Sequence, residues 1–211
     1  MISITQPISS TVVNCFMTIS QQFKKSIYPL LKTAGSLFGA NGKRYLNKKK
    51  TAPVKPVYTL FAHTNQGKPV CLDTYRGKYL LIANTASHCG YTAQYAELQQ
   101  LQDKYADKLT VLAFPANDFG GQEPEPDDAI ANFCAVNFGV KFPVMLKSEV
   151  IGSEKNPVFT WLTDPAQNGW NKKEPTWNFC KYLVGPDGKL LGFFESAVSP
   201  LDEEIQNLVR G

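Results

Sequence analysis

Helices packed on both faces of a mixed β-sheet are the fold predicted by three observations on this 211-residue sequence. Residues 79–84 and 109–114 are continuous apolar runs, the pattern of strands buried on both faces. Between them Tyr95, Leu98, Leu101 and Tyr105 recur at helical spacing, so strand, helix and strand make a crossover unit that needs parallel strands. Toward the C-terminus Asp187-Gly188 separates two more apolar stretches, a strong hairpin signal that adds antiparallel pairing.

The elements follow in order. Residues 1–56 read as an extension: apolar side chains from Val12 to Leu31 suit part of an amphipathic helix interrupted at Pro29, and residues 43–56, with Lys48, Lys49, Lys50 and two prolines, read as a solvated linker. The folded domain is expected over 57–211. Residues 57–60 and 69–72 read as short strands joined by a turn at Gly67. The strand over 79–84 ends in a polar loop from Thr85 to Gly90, the helix spans 92–107, and the next strand spans 109–114. Gly120, Gly121 and two prolines make 117–128 a loop before a helix near 127–138, marked by Ile130 and Phe133. Residues 143–146 resemble a short strand, 157–162 a short helix and 163–176 a loop. The hairpin strands are 179–184 and 190–194, and Ser199-Pro200 opens a last helix with Ile205, Leu208 and Val209 inward. This string, with four or five central strands, is a thioredoxin-like layout.

Composition narrows the function classes. With 43% hydrophobic and 19% charged residues the chain falls outside the disordered range, and no apolar run approaches the roughly 18 residues that cross a bilayer. The net charge of +4 conceals a division: nine of the 22 basic side chains lie in residues 1–56, whereas the first acid is Asp73, so the remaining 155 residues hold 13 bases against 18 acids. The basic residues sit in the arm without a nucleic-acid-binding motif, and no nucleic-acid partner is expected. The arm is not a secretory signal; it has the acid-free, Ser/Thr-containing character of an organelle (mitochondrial) transit peptide, or it is an arm with no address on a cytoplasmic protein.

The five cysteines, at 15, 71, 89, 134 and 180, include no CxxC pair and no zinc spacing, so no metal site is expected; their odd number fits reduced thiols in an intracellular compartment. Cys89 is the best placed for chemistry. It follows a buried strand and precedes a helix, where free backbone N–H groups and the helix dipole favour a thiolate.

The stretch from Asn84 to Thr92, centred on Ser87-His88-Cys89-Gly90, resembles the nucleophile loop of the glutathione peroxidase family; residues 114–124, with Asn117-Asp118-Phe119-Gly120-Gly121-Gln122-Glu123, resemble its second signature, and Trp177-Asn178-Phe179 its third. The resemblance spans residues 57–210. It implies a thioredoxin-like fold and a peroxidase whose catalytic tetrad is Cys89, Gln122, Trp177 and Asn178, with no bound cofactor. Neutral N–H donors beside a thiolate suit reduction of an O–O bond, because they stabilise the sulfur anion and the departing oxygen without a buried countercharge. Cys134, 45 residues beyond Cys89, stands where thioredoxin-dependent members place their resolving cysteine, and a disulfide with Cys89 requires that helix to unwind in part. Hydrogen peroxide and organic or lipid hydroperoxides are the implied substrates and thioredoxin the implied reductant. A one-cysteine cycle served by glutathione, or a peroxide sensor passing a disulfide to a partner, are the alternatives. Ala116 and Asp118 replace the family's frequent cysteine and glutamine; Asp118 raises the thiolate pKa if it faces Cys89. The segment 163–176 is too short for the assembly loop of tetrameric relatives, so a monomer and an open site are expected.

Overall fold

The computed structural model describes residues 42–211. Five strands form the main sheet: β1 (Arg44–Leu46), β4 (Tyr79–Thr85), β5 (Leu109–Pro115), β6 (Lys181–Val184) and β7 (Leu190–Phe194), in the order β1-β7-β6-β4-β5. β4 and β5 run parallel and every other pairing is antiparallel, so the sheet is mixed. β2 (Phe61–His63) and β3 (Pro69–Cys71) make a separate antiparallel hairpin.

The alternation of side chains in the central strands builds two cores. Leu80 and Ile82 of β4, Leu112 and Phe114 of β5, and Tyr182 and Val184 of β6 face one side, with Val158, Phe159, Trp161 and Leu162 of α3 (Pro157–Thr163). Leu81 and Ala83, Val111 and Ala113, and Leu183 face the other. There they meet Leu98 and Leu101 of α1 (Gln94–Lys104), Ile130 and Phe133 of α2 (Asp127–Phe138), and Ile205 and Val209 of α5 (Glu203–Arg210). Helices thus cover both faces, as the apolar runs predicted. Burial of both sides explains why these strands lack the polar alternation of a half-exposed sheet.

Three local expectations are corrected. Residues 57–60 are not a strand: Val57–Thr59 is a single 3₁₀ turn after Pro56, and pairing begins at Phe61. Residues 143–146 make only isolated bridges, Val144 to Ala113 and Met145 to Thr64, which tie the hairpin to β5. The loop 163–176 contains a one-turn helix, α4 (Pro165–Asn168), capped by the Asp164 carboxylate on the Ala166 N–H.

The largest difference lies in residues 43–56, expected as a solvated linker. Tyr45 pairs with Phe193 across the sheet edge and stacks on its ring at 5.8 Å, while the Arg44 guanidinium grips both Asp202 carboxylate oxygens. The Trp161 indole donates to the Lys55 carbonyl (2.7 Å), and Val54 and Lys55 N–H both donate to Gln167 O. The lysines that suggested a linker point outward from a folded edge. The remainder of the arm, with Cys15, lies outside the described residues.

Candidate active site

β4 delivers the chain to the Cys89 loop. After Thr85 the backbone turns through residues 86–93, and Cys89 is fully buried in the core shared with Ala86, Tyr95, Cys134 and Phe179. The helix, expected over 92–107, begins at Gln94, and successive tight turns, Thr92 N–H to Cys89 O (3.2 Å) and Gln94 N–H to Tyr91 O (2.8 Å), lead into it. The donor to the sulfur is therefore a loop amide: Tyr91 N–H points at Cys89 Sγ (3.4 Å). Thr92 Oγ1 fixes this loop by accepting the Cys89 N–H (3.1 Å) while lying 2.7 Å from the Cys89 carbonyl. A backbone donor held in this way favours the anionic form of sulfur.

Gln122 and Asn178 meet directly. The Asn178 amide donates to Gln122 Oε1 (3.0 Å), so the Gln122 amide has its carbonyl end engaged and its NH₂ end left as a donor. Gln122 in turn accepts the His88 N–H on its backbone carbonyl (3.0 Å), which ties it to the residue before Cys89. Trp177 packs on Phe119 at 5.9 Å and is 39% exposed, so the mouth of the site lies at the indole. Gly120, at φ 65°, runs between these groups: a Cβ there would meet Trp177 Cη2 at 3.7 Å and Gln122 Cγ at 3.8 Å. The expected open site is met at Trp177 only, because Cys89 itself is covered.

The Trp177-Asn178 turn is held by Asn84, which sequence reasoning assigned no role. Asn84 Oδ1 accepts the Cys180 N–H (3.0 Å), its Nδ2 donates to the Trp177 carbonyl (3.0 Å), and its own carbonyl accepts the Phe179 N–H (2.6 Å). Phe179 between these anchors has φ 65°, a left-handed conformation a bulky residue adopts only when its surroundings impose it. The one polar residue inside the apolar run of 79–84 was the available signal.

Glu123 was also missed, since an acid in a Gly/Pro-rich loop reads as solvated. It is fully buried, and its Oε2 accepts both the N–H (2.9 Å) and the hydroxyl (3.1 Å) of Ser87. Burial pushes its pKa up to about 7.

Cys134 lies on the inner face of α2, 1% exposed, in the same core as Cys89; burial pushes its thiol up to about 12. Asp118 turns away from the role considered for it: its Oδ2 accepts the Val150 N–H (2.7 Å). His88 is part-exposed, with Nε2 3.9 Å from Glu125. Cys180 contacts Ser196 Oγ (3.4 Å) and Cys71 the Tyr58 carbonyl (3.2 Å); both are free thiols. Lys181, fully buried, donates to Gln94 Oε1 (2.7 Å) and to the Ser196 carbonyl, pinning the 196–198 turn to the start of α1. Among the described residues no helix is long and apolar enough to cross a membrane.

The family model described as Glutathione peroxidase matches residues 57–163. Glutathione peroxidase-like peroxiredoxin 2 of Saccharomyces cerevisiae is 43% identical over 155 residues, covering 72% of this chain and 96% of its own. Among solved structures, T. cruzi GPX1 shares 31% identity with a TM-score of 0.58, over 74% of this chain and 98% of that one. A thiol:disulfide interchange protein of the thioredoxin family from Chlorobium tepidum, at 19% identity, superposes with a TM-score of 0.54 over 74% of this chain and 97% of its own, which shows the shared thioredoxin-like fold.

Proposed function

The chain belongs to the glutathione peroxidase family, and from that premise we propose that it is a thiol peroxidase in which Cys89 reduces hydrogen peroxide and organic or lipid hydroperoxides, Cys134 resolves the product and thioredoxin restores both thiols. The observation that carries the reading is the amide pair of Asn178 and Gln122 fastened through His88 N–H to the Cys89 loop, whose sulfur already accepts the Tyr91 N–H. In the first step the Cys89 thiolate attacks one peroxide oxygen, the O–O bond breaks, and the departing oxygen takes a proton as water or alcohol. The Gln122 NH₂ and the Trp177 indole N–H stabilise the charge on that oxygen. Asn178 acts on Gln122 through the N–H that it donates to the Gln122 carbonyl.

The sulfenic acid at Cys89 then condenses with the Cys134 thiol, releasing water. Both sulfurs belong to one apolar core on one face of the sheet, and α2 loosens to bring them to bonding distance. Thioredoxin reduces the disulfide by exchange. The enzyme acts as a monomer in an intracellular compartment. The burial of Cys134 favours one competing reading, direct reduction of the sulfenic acid by glutathione.

Cys89→Ser abolishes peroxide turnover, and survival of activity refutes the assignment. Cys134→Ala stops thioredoxin-supported NADPH consumption while still permitting one stoichiometric oxidation of Cys89. Equal steady-state rates in that variant, or faster turnover with glutathione than with thioredoxin, give the one-cysteine cycle instead.

A further inference from the structure

Beneath the Cys89 loop the fold gathers four buried polar groups from four elements: Thr85 at the end of β4, Tyr95 on α1, Cys134 on α2, and Glu123 from the loop before α2. Glu123 Oε2 is satisfied by Ser87, but Oε1 has no hydrogen-bond partner, and neither the Tyr95 nor the Thr85 hydroxyl makes a bond of full geometry. The Tyr95 hydroxyl nevertheless faces both Thr85 and the Cys134 thiol, and the Glu123 carboxylate acts electrostatically on Tyr95 and Cys134 alike. Unpaired polar atoms are rare in a protein interior, and three of them grouped around the Cys134 thiol call for a function. No ion pair to Glu123 is formed among the described residues. Lys147 donates to its backbone carbonyl (3.3 Å), Asn117 Oδ1 accepts its N–H (2.9 Å), and Glu125 is the other charge close enough to act on it.

We propose that Glu123 is the proton acceptor for Cys134, reached through the Tyr95 hydroxyl, when Cys134 attacks the oxidised Cys89. This rests on Cys134 being the resolving thiol. The Cys134 S–H proton passes to the Tyr95 oxygen while the Tyr95 proton passes to Glu123 Oε1. The freed sulfur electron pair forms the S–S bond to Cys89, the S–O bond of the sulfenic acid breaks, the hydroxide that leaves takes a proton from solvent to become water, and Glu123 afterwards returns its proton to solvent. Formally, the Cys89 sulfur gains the electron that the Cys134 sulfur loses, so no further oxidant or reductant is required.

The environments fit this division of labour. A thiol held in apolar surroundings keeps its proton unless an acceptor is supplied, and a carboxylate titrating near neutrality is well matched to take it. Glu123 also touches the peroxidatic side through Ser87, two residues before Cys89, so the same carboxylate adjoins both halves of the reaction.

The test is a single-turnover measurement on the full chain with one equivalent of hydrogen peroxide. Peroxide consumption reports Cys89 oxidation, and acid quench with thiol alkylation and mass spectrometry reports the Cys89–Cys134 disulfide. Glu123→Gln keeps an acceptor for Ser87 but removes the base. It should slow disulfide formation about 10- to 100-fold more than Cys89 oxidation, a loss within the range of general-base catalysis, and flatten the dependence of disulfide formation on pH around 7. Tyr95→Phe should produce the same selective slowing, and it carries the test if Glu123→Gln does not fold. Equal slowing of both steps, or a disulfide rate and pH profile like those of the unmodified chain, overturns the proposal. Cys134→Ala is run alongside: if its thioredoxin-supported turnover is undiminished, the resolving role itself fails. If Cys134→Ala is blocked while Glu123→Gln is indistinguishable from the parent, the proton-acceptor role alone fails.

Discussion

Replacing Asn84 by alanine tests whether the catalytic turn is held from below. The substitution removes the Oδ1 acceptor of Cys180 N–H and the Nδ2 donor to Trp177 O, both 3.0 Å bonds at a residue with no exposure. Leaving a buried polar group unsatisfied costs about 1–3 kcal/mol, so two orphaned backbone groups cost about 2–6 kcal/mol. At about 2–4 °C per kcal/mol for a domain of this size, Tm should fall by about 10 °C. The function should suffer beyond the stability, because Phe179 at φ 65° then lacks the anchors on both sides that hold it there and the Trp177-Asn178 pair can drift. Misplacement of a positioning group by about 1 Å costs about 100-fold, and kcat/KM for hydrogen peroxide should fall by that order at temperatures where the variant is folded. Asn84→Asp keeps the acceptor for Cys180 but sets a carboxylate oxygen against the Trp177 carbonyl, and should lose at least as much activity. The measurements are urea unfolding with the slope monitored, and peroxide kinetics on the folded fraction. A stability loss below about 0.5 kcal/mol, the usual range for sites without special contacts, together with kcat/KM within twofold, would refute the clamp.

Three further outcomes are expected. Removing residues 1–56 should destabilise the protein by at least about 2 kcal/mol relative to removing 1–41 alone, because the Trp161 indole loses the Lys55 carbonyl and Phe193 loses the Tyr45 ring; equal thermal unfolding of the two truncations would return residues 42–56 to a linker. Gly169→Ala, at φ 95° with the Ala52 carbonyl oxygen against the position of its new Cβ, should cost about 2 kcal/mol or more in chemical denaturation, and a neutral effect would show that residues 51–52 do not pack there. The raised pKa of Glu123 sets a pH dependence: between 4.5 and about 7 the folded state holds a proton that the unfolded chain has released, so stability falls as pH rises through that window. The fall is at most about 3 kcal/mol and is absent in Glu123→Gln; parallel stability-versus-pH curves for the two proteins would contradict it.

The parts of the fold that were legible in the sequence are those where one local rule decides. The runs ending at Asn84 and Phe114 are buried on both faces, and Asp187-Gly188 admits a tight hairpin, so these strands appear where expected. β1 was illegible because its three residues gain their place from the unpaired edge of β7 and from Asp202, partners more than 140 residues away. Its own segment is dominated by outward lysines. The same distinction separates the site residues. Cys89, Gln122, Trp177 and Asn178 stand in recognisable motifs, whereas Asn84 and Glu123 act through contacts with segments 93 and 36 residues distant. Polar residues at the end of a buried strand or inside a turn-rich loop carry no local mark of such contacts.

The environments of the two thiols also impose an order on their use. Cys89 has a backbone N–H aimed at its sulfur and sits on a loop braced by Thr92 and tied to Gln122, so a donor to the sulfur is in place while the fold is intact. Cys134 is held in apolar surroundings that keep its proton on, and it is unreactive for as long as α2 stays packed. In the proposed cycle peroxide therefore meets a single competent nucleophile, and the second thiol acts only after the helix yields. A chain that kept both thiols equally ionised would expose the second to oxidation as well, and two sulfenic acids cannot condense to the disulfide that a dithiol reductant opens. In that cycle the buried, protonated state of Cys134 protects the resolving step: a substitution that loosens α2, such as Ile130→Gly, should raise over-oxidation of Cys134 under excess peroxide, detectable as sulfinic acid by mass spectrometry.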